Sequence, residues 1–257
     1  MNTIWGLFIG FFLASGVWAA DLSREQVVQL LSTASARQPA DLRRKDLRGV
    51  DLSGLDLRQA DLWGADLRQA NLHGANLAGL NLDLTVMTGI DLSNANLSKV
   101  SIFGVSMVKA NLKGADLSGS RVIAVLDYAD LTGANLKGAN WGADMKNQPM
   151  GLMRANLKGA NLSGADLTDA DLSRAMLRFA KLNGAKLTNS MLYAADLAAA
   201  DLSEADLRGA DLSAAKLTDS KFDQADLAGT RLLDTDLTPI RHALEKARHW
   251  QQAILVP

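Results

Sequence analysis

The 257-residue sequence predicts an all-β solenoid, and three observations carry that expectation. A leucine or comparable aliphatic residue recurs every five positions between residues 40 and 237, most often inside Ala-Asp-Leu or Ala-Asn-Leu. Five residues turn an α-helix by roughly 140° and are an odd number for a strand that alternates faces, so neither element repeats with this pattern. Aromatic residues make up only 5% of the chain, so the core must be assembled from many small and medium side chains. The prolines lie outside the rhythm: Pro39 precedes it, Pro149 falls in its interruption, Pro239 follows it and Pro257 ends the chain. A residue without an N–H belongs at the boundaries of a ladder of paired strands.

Taken in order, residues 1–19 read as an export signal, with an apolar run from Ile4 to Leu13 and the small-x-small pattern Val17, Trp18, Ala19 just before Ala20. This leader has no Lys or Arg beyond its amino terminus, so an uncleaved membrane anchor of about 17 residues is the alternative. The expected location is accordingly the periplasm or the outside of the cell, with attachment to a membrane only if the leader is retained. The chain has no cysteine, hence no disulfide and no lipid-bearing thiol. Residues 21–38 predict a short capping helix, with Ser23 as N-cap and Val27, Leu30 and Leu31 on one face.

The repeat itself spans 40–237. Its central residue holds one phase from Leu42 to Val122, slips back by one at Leu126, Leu131, Leu136 and Trp141, and regains the first phase at Leu152. Residues 142–151 (GADMKNQPMG) break the rhythm and must leave the coil. After the last repeat, Thr238 and Pro239 give a helix-start signal for a terminal helix over 238–257, whose apolar stripe includes Ile240, Leu244 and Trp250.

The A-[DN]-L-x-x motif, repeated over most of residues 40–237, resembles the pentapeptide repeat family. The resemblance implies a right-handed quadrilateral β-helix in which each pentapeptide forms one side and four complete a coil. About ten coils at ~4.8 Å would make a rod on the order of 45 to 50 Å long. The central Leu and the Ala two before it would point inward and the other three positions outward, with helices covering the strand edges at both ends.

No catalytic residue, cofactor site or metal site is predicted. The Asp or Asn before each central Leu belongs to the motif and recurs on every side, which suits turn-stabilising hydrogen bonds. His73, His242 and His249 are too scattered to form a cluster, and no nucleophile-base-acid set or phosphate loop stands out. The chain therefore reads as a noncatalytic scaffold for protein binding or a structural role, with an enzyme site beside 142–151 as one alternative.

Net charge is −1, which offers no global attraction for nucleic acid. Early coils pair Asp41 with Arg43, Asp46 with Arg48, Asp56 with Arg58 and Asp66 with Arg68, whereas from Asp196 to Asp236 ten acids meet four bases. Some members of the resembled family mimic duplex DNA and act on DNA gyrase. That is the second alternative, and the basic early ladders and the export signal weigh against it.

Two departures from the repeat mark candidate surfaces. Trp63, Phe103, Val108 and Ile123 place apolar side chains at outward positions, the first, second and fourth in one column, and suggest a protein-binding patch. Trp141, Met145, Pro149 and Met150 mark a candidate loop that covers this wall; methionines without His or Cys suit packing better than copper. Ile240, Leu244 and Trp250 either lid the last coil or pair two rods into a homodimer, as the resemblance implies for some family members. The partner is thus an unidentified protein or a second copy of the chain.

Overall fold

The computed structural model describes residues 20–144 and 153–255, so the leader, Met145, Pro149, Met150, Leu152 and Pro257 lie outside the described residues. Most pentapeptides build one side of a square coil by the same local chemistry. The motif carboxylate or amide accepts the N–H two residues on, as Asp51 Oδ1 does from Ser53 at 3.0 Å and Asn76 Oδ1 from Ala78 at 3.2 Å. The central residue's C=O then accepts the N–H three residues later, as Leu62 does from Ala65 at 2.9 Å. Between them the third turn residue has positive φ, +68° at Gly64, which is the mark of a type II turn.

Successive coils pair in parallel about twenty residues apart. Leu47 N donates to Asp66 O at 2.8 Å, and Asp66 N donates back to Lys45 O at 2.9 Å. The fold is a quadrilateral β-helix with four faces. The first face carries the column Leu42, Leu62, Leu82, Ile102, Val122, Trp141 and Leu172; the second carries Leu47, Leu67, Met87, Met107, Leu126, Leu157 and Leu177. The third and fourth begin at Leu52 and Leu57. These side chains are buried, and each removes apolar surface worth roughly 1.5 to 3 kcal/mol.

The outward motif positions stack as polar ladders. Asn71 donates its amide to Asp51 at 3.0 Å and Asn111 to Asp91 at 3.0 Å, so an Asn between two Asp side chains relieves what would be a like-charge stack. Lys181, Asp201 and Lys221 alternate in one column for the same reason. In the early coils Arg43 lies on Asp41 and holds its carboxyl down at about 2.

Helix α1 (Arg24–Ser32) comes first, then β1 (Ala40–Asp41), which pairs in parallel with β2 (Ala60–Asp61). Ser23 and Gln26 close α1 with a reciprocal capping box, Val27 is buried against the first coil, and Leu30 is exposed. Asp21 N donates to Asp46 O at 2.7 Å and Arg24 donates to Ser53 O at 2.9 Å, which satisfies part of the first coil's open edge.

The phase slip has a defined geometry. Strand β3 (Ser101–Ser106) pairs in parallel with β4 (Arg121–Val125), and the register shifts between Phe103 and Val105. The side that starts at Arg121 has one residue fewer than its neighbours, and it runs as strand in place of a turn. Ser101 and Arg121 stand where most other sides have Asp or Asn; the Arg121 guanidinium instead donates to Asn140 O at 3.0 Å and Gly142 O at 2.9 Å.

The coil pairing continues into the stretch where the rhythm is broken. Ala143 N still donates to Ser173 O at 3.0 Å, and Asp144 N donates to Met153 O at 2.8 Å in an antiparallel pair at the excursion's base. Val125 pairs with Asn156 immediately above it, so the core passes the excursion without a gap.

The C-terminal segment differs from the single helix expected over 238–257. It forms a 3-10 turn at Thr238–Ile240, a one-turn helix α2 (Arg241–Leu244) and a second 3-10 turn at Trp250–Gln252. The reason is the unpaired edge of the last coil: Arg248 N donates to Ala225 O at 2.7 Å, and Ile254 N to Thr230 O at 2.8 Å. Paired backbone along that edge outcompetes an amphipathic helix laid over it. Ile240 and Leu244 are buried beneath this segment, Trp250 is half-buried, and Ile254 is exposed.

Candidate functional site

The outward positions of the third and fourth faces hold no aromatic ring except the His73 imidazole and no aliphatic side chain larger than Ala. The strongly exposed apolar side chains of the coils all lie on the first face, at Leu84, Met191 and Tyr193, and on the second, at Val86, Val125, Tyr128 and Phe179. Half the circumference of the rod is therefore polar, and the other half carries an apolar surface of the kind that marks contact sites.

The residues predicted for this patch are partly placed there. Phe103 pairs with Ile123 across β3 and β4, and Phe103 and Val108 are half-buried on adjoining faces. Ile123 is a correction: it is 3% exposed and belongs with the packed wall, where Met153 and Arg154 line the same cavity. Trp63 lies in the same column but is separated from Phe103 by Asp83, and the Arg44 guanidinium sits 5.0 Å from its ring centre. Trp141 is a second correction. It is a core residue and not part of a loop: it takes the inward position of the first face, is 1% exposed, and donates from Nε1 to Ser120 Oγ at 3.0 Å.

Sequence reasoning missed Tyr128 and Phe179, which are 56% and 51% exposed. They occupy the third turn position of the second face with Gly159 between them. Gly159 has φ +64°, and a Cβ there would stand 2.7 Å from the Tyr128 ring, so the glycine lets that ring lie flat along the wall. The Arg178 guanidinium lies 5.6 Å from the Phe179 ring and that of Arg174 lies 5.5 Å from Tyr193, giving two further arginine-aromatic pairs on these two faces.

At the corner where the first face meets the second, a cavity of about 560 Å³ opens between Ile123, Val125, Met153, Arg154 and Met176. Beside it Asp127 is the one described residue with a buried, unpartnered side-chain oxygen, Oδ1. Burial pushes the Asp127 carboxyl above its usual range, partly offset by the Lys158 N–H and charge. The native state then holds this proton where the unfolded chain releases it, so stability falls as pH rises through that window. Asp127→Asn is expected to raise stability at pH 7 by on the order of 1 kcal/mol and to lose that advantage near pH 4. Thermal melts of both proteins at the two pH values check this; an equal gain at pH 4 would remove ionisation as the cause.

Among the described residues no group of three or more His, Cys, Asp or Glu could hold a metal ion. No described helix is long and apolar enough to cross a membrane.

A family model for pentapeptide repeats matches eight copies, over residues 40–64, 51–89, 81–119, 152–189 and 192–232. Among solved structures, QnrB1, a plasmid-mediated fluoroquinolone resistance protein, is similar with a TM-score of 0.51 and 19% identity, covering 80% of this chain and 92% of that one. HetL, a pentapeptide repeat protein involved in heterocyst differentiation regulation from the cyanobacterium Nostoc, shares 29% identity over 82% of this chain and 97% of its own, with a TM-score of 0.35. A pentapeptide repeat protein from the Arabidopsis thaliana thylakoid lumen shares 26% identity over 53% of this chain and 76% of its own, with a TM-score of 0.23. No curated protein matches the sequence significantly.

Proposed function

The chain belongs to the pentapeptide repeat family, and from that membership we propose that it is an exported, noncatalytic scaffold that binds a protein partner through its first and second faces. The observation that carries this reading is the segregation of outward apolar side chains larger than Ala onto two adjoining faces, with none of that size at the described outward positions of the other two. A solenoid stabilised only by its interior has no need of that asymmetry, because every face uses the same inward Leu and Ala. Export rests on the apolar leader, and the absence of cysteine suits any redox compartment. A DNA-like role would call for acids along the whole rod, whereas Arg43, Arg48, Arg58 and Arg68 neutralise the first coils.

The test is a photo-crosslinking residue placed at Phe179, or at Ser203 on the third face, in cells that make the full chain. Capture of one partner from Phe179 and none from Ser203 is expected. Tyr128→Asp with Phe179→Asp should abolish capture while leaving circular dichroism unchanged, since both sites have positive φ, which Asp tolerates better than an aromatic residue. Equal capture from both faces, or capture that survives the double substitution, would sink the assignment.

A further inference from the structure

We propose that the corner between the first and second faces receives an acidic peptide segment that carries one apolar anchor residue. This rests on the protein-binding reading above and adds the chemistry of the partner. Where the coils from Ser101 to Phe179 cross these two faces, six cations among the described residues (Lys109, Arg121, Arg154, Lys158, Arg174, Arg178) meet three carboxylates (Asp127, Asp144, Asp171), a net +3. The third and fourth faces of the same coils, through Ser190, carry four Lys and four Asp, a net of zero. The excess positive charge therefore sits on the side that also holds the apolar surface.

Arg121 spends its guanidinium on the Asn140 and Gly142 carbonyls, and most of the remaining charge is left without an ion pair. Lys109, Arg154, Lys158 and Arg174 make no ion pair with any described carboxylate, and Arg178 reaches Asp196 only at 3.7 Å. Arg174 and Arg178 lie against the rings of Tyr193 and Phe179, which holds each guanidinium in place with donors free for a carboxylate. Desolvated apolar surface ringed by uncompensated cations favours an anionic partner and repels a basic one.

The anchor follows from shape. The cavity of about 560 Å³ is walled by Ile123, Val125, Met153 and Met176 with Arg154 at its edge, room enough for a Leu or Phe side chain with a carboxylate beside it. A flat anionic membrane would cover this corner without filling it. A nucleic acid would run past the patch onto coils whose charge is already balanced, Asp66 against Arg68 on one side and Asp211 against Arg231 on the other, and would gain nothing there. Four coils span about 15 to 20 Å, the length of roughly five to six extended residues.

The probe is a fluorescent eight-residue peptide with a central Phe flanked by Asp and Glu, titrated into the full chain. Its comparators are the same peptide with Lys for every acid, and phosphatidylglycerol vesicles. Saturable binding of the acidic peptide is expected, weakening about tenfold between low and 0.5 M salt. It should weaken at least about tenfold again in Lys109→Glu with Arg154→Glu, two surface changes that leave the melt unchanged. Met176→Asp should also reduce it, by replacing an apolar wall of the anchor site with a carboxylate that repels the peptide. Equal binding of the Lys peptide, indifference to the charge reversal, or binding to vesicles in place of the peptide would overturn the proposal. Partner capture at Phe179 without acidic-peptide binding would refute the charge assignment alone, and loss of both would refute the binding face as well.

Discussion

Leu162→Asp is expected to abolish the cooperative fold. Leu162 is fully buried on the third face, with Leu131 and Leu182 as its vertical neighbours in the stack. The substitution removes roughly 1.5 to 3 kcal/mol of apolar burial. It also places a carboxylate among side chains that offer no donor, and an unpaired buried charge costs several kcal/mol more. Together these approach the 5 to ~15 kcal/mol that holds a typical domain. Because each coil of a solenoid touches only its neighbours, the damage divides the rod at that coil. Limited proteolysis should cut near residue 162, and the thermal transition should broaden or vanish. Ser163→Asp is the control, one position along and facing outward, and it should change stability by no more than about 0.5 kcal/mol. A cooperative melt in Leu162→Asp that matches the parent protein would refute the inward assignment of the third face.

The core was legible because its rule is local and repeated: any single Ala-Asp-Leu states which residues point inward, and the other copies repeat the statement. Ile123 was misread because a five-residue count makes it outward, whereas its side is one residue shorter and runs as strand beneath Met153 and Arg154. Tyr128 and Phe179 escaped notice for a related reason. Their shared column crosses the excursion, so they are not a multiple of twenty apart, and only the pairing of Val125 with Asn156 reveals them as near neighbours. At the C-terminus the pattern of Ile240, Leu244 and Trp250 does describe an amphipathic helix. What it omits is the open strand edge of the last coil, a tertiary demand that Arg248 and Ile254 meet. The apolar corner was thus half visible: its aliphatic members at β3 and β4 could be read directly, while its aromatic and cationic members needed the register.

Trp141 is where the slip, the excursion and the core meet, and Trp141→Ala is expected to cost about 3 to 5 kcal/mol. It is the largest of the buried side chains, on a face whose other inward residues are aliphatic. Below it Val122 is one carbon smaller than the usual Leu, and the Arg121 side has one residue fewer than its neighbours. The indole packs above Val122 in the first-face column, and its N–H reaches the buried Ser120 hydroxyl at 3.0 Å. Trp141→Phe should keep most of the packing and lose the hydrogen bond, at about 1 kcal/mol. Urea unfolding of the three proteins separates these contributions, provided the dependence on denaturant stays constant across the set. A loss below about 1 kcal/mol in Trp141→Ala would show that the coil collapses onto the vacated space without the ring. A large loss shared equally by Ala and Phe would instead assign the effect to Ser120. The expected order, with Ala far below Phe and Phe slightly below Trp, would mean that the bulk of the ring, more than its hydrogen bond to Ser120, holds this coil together.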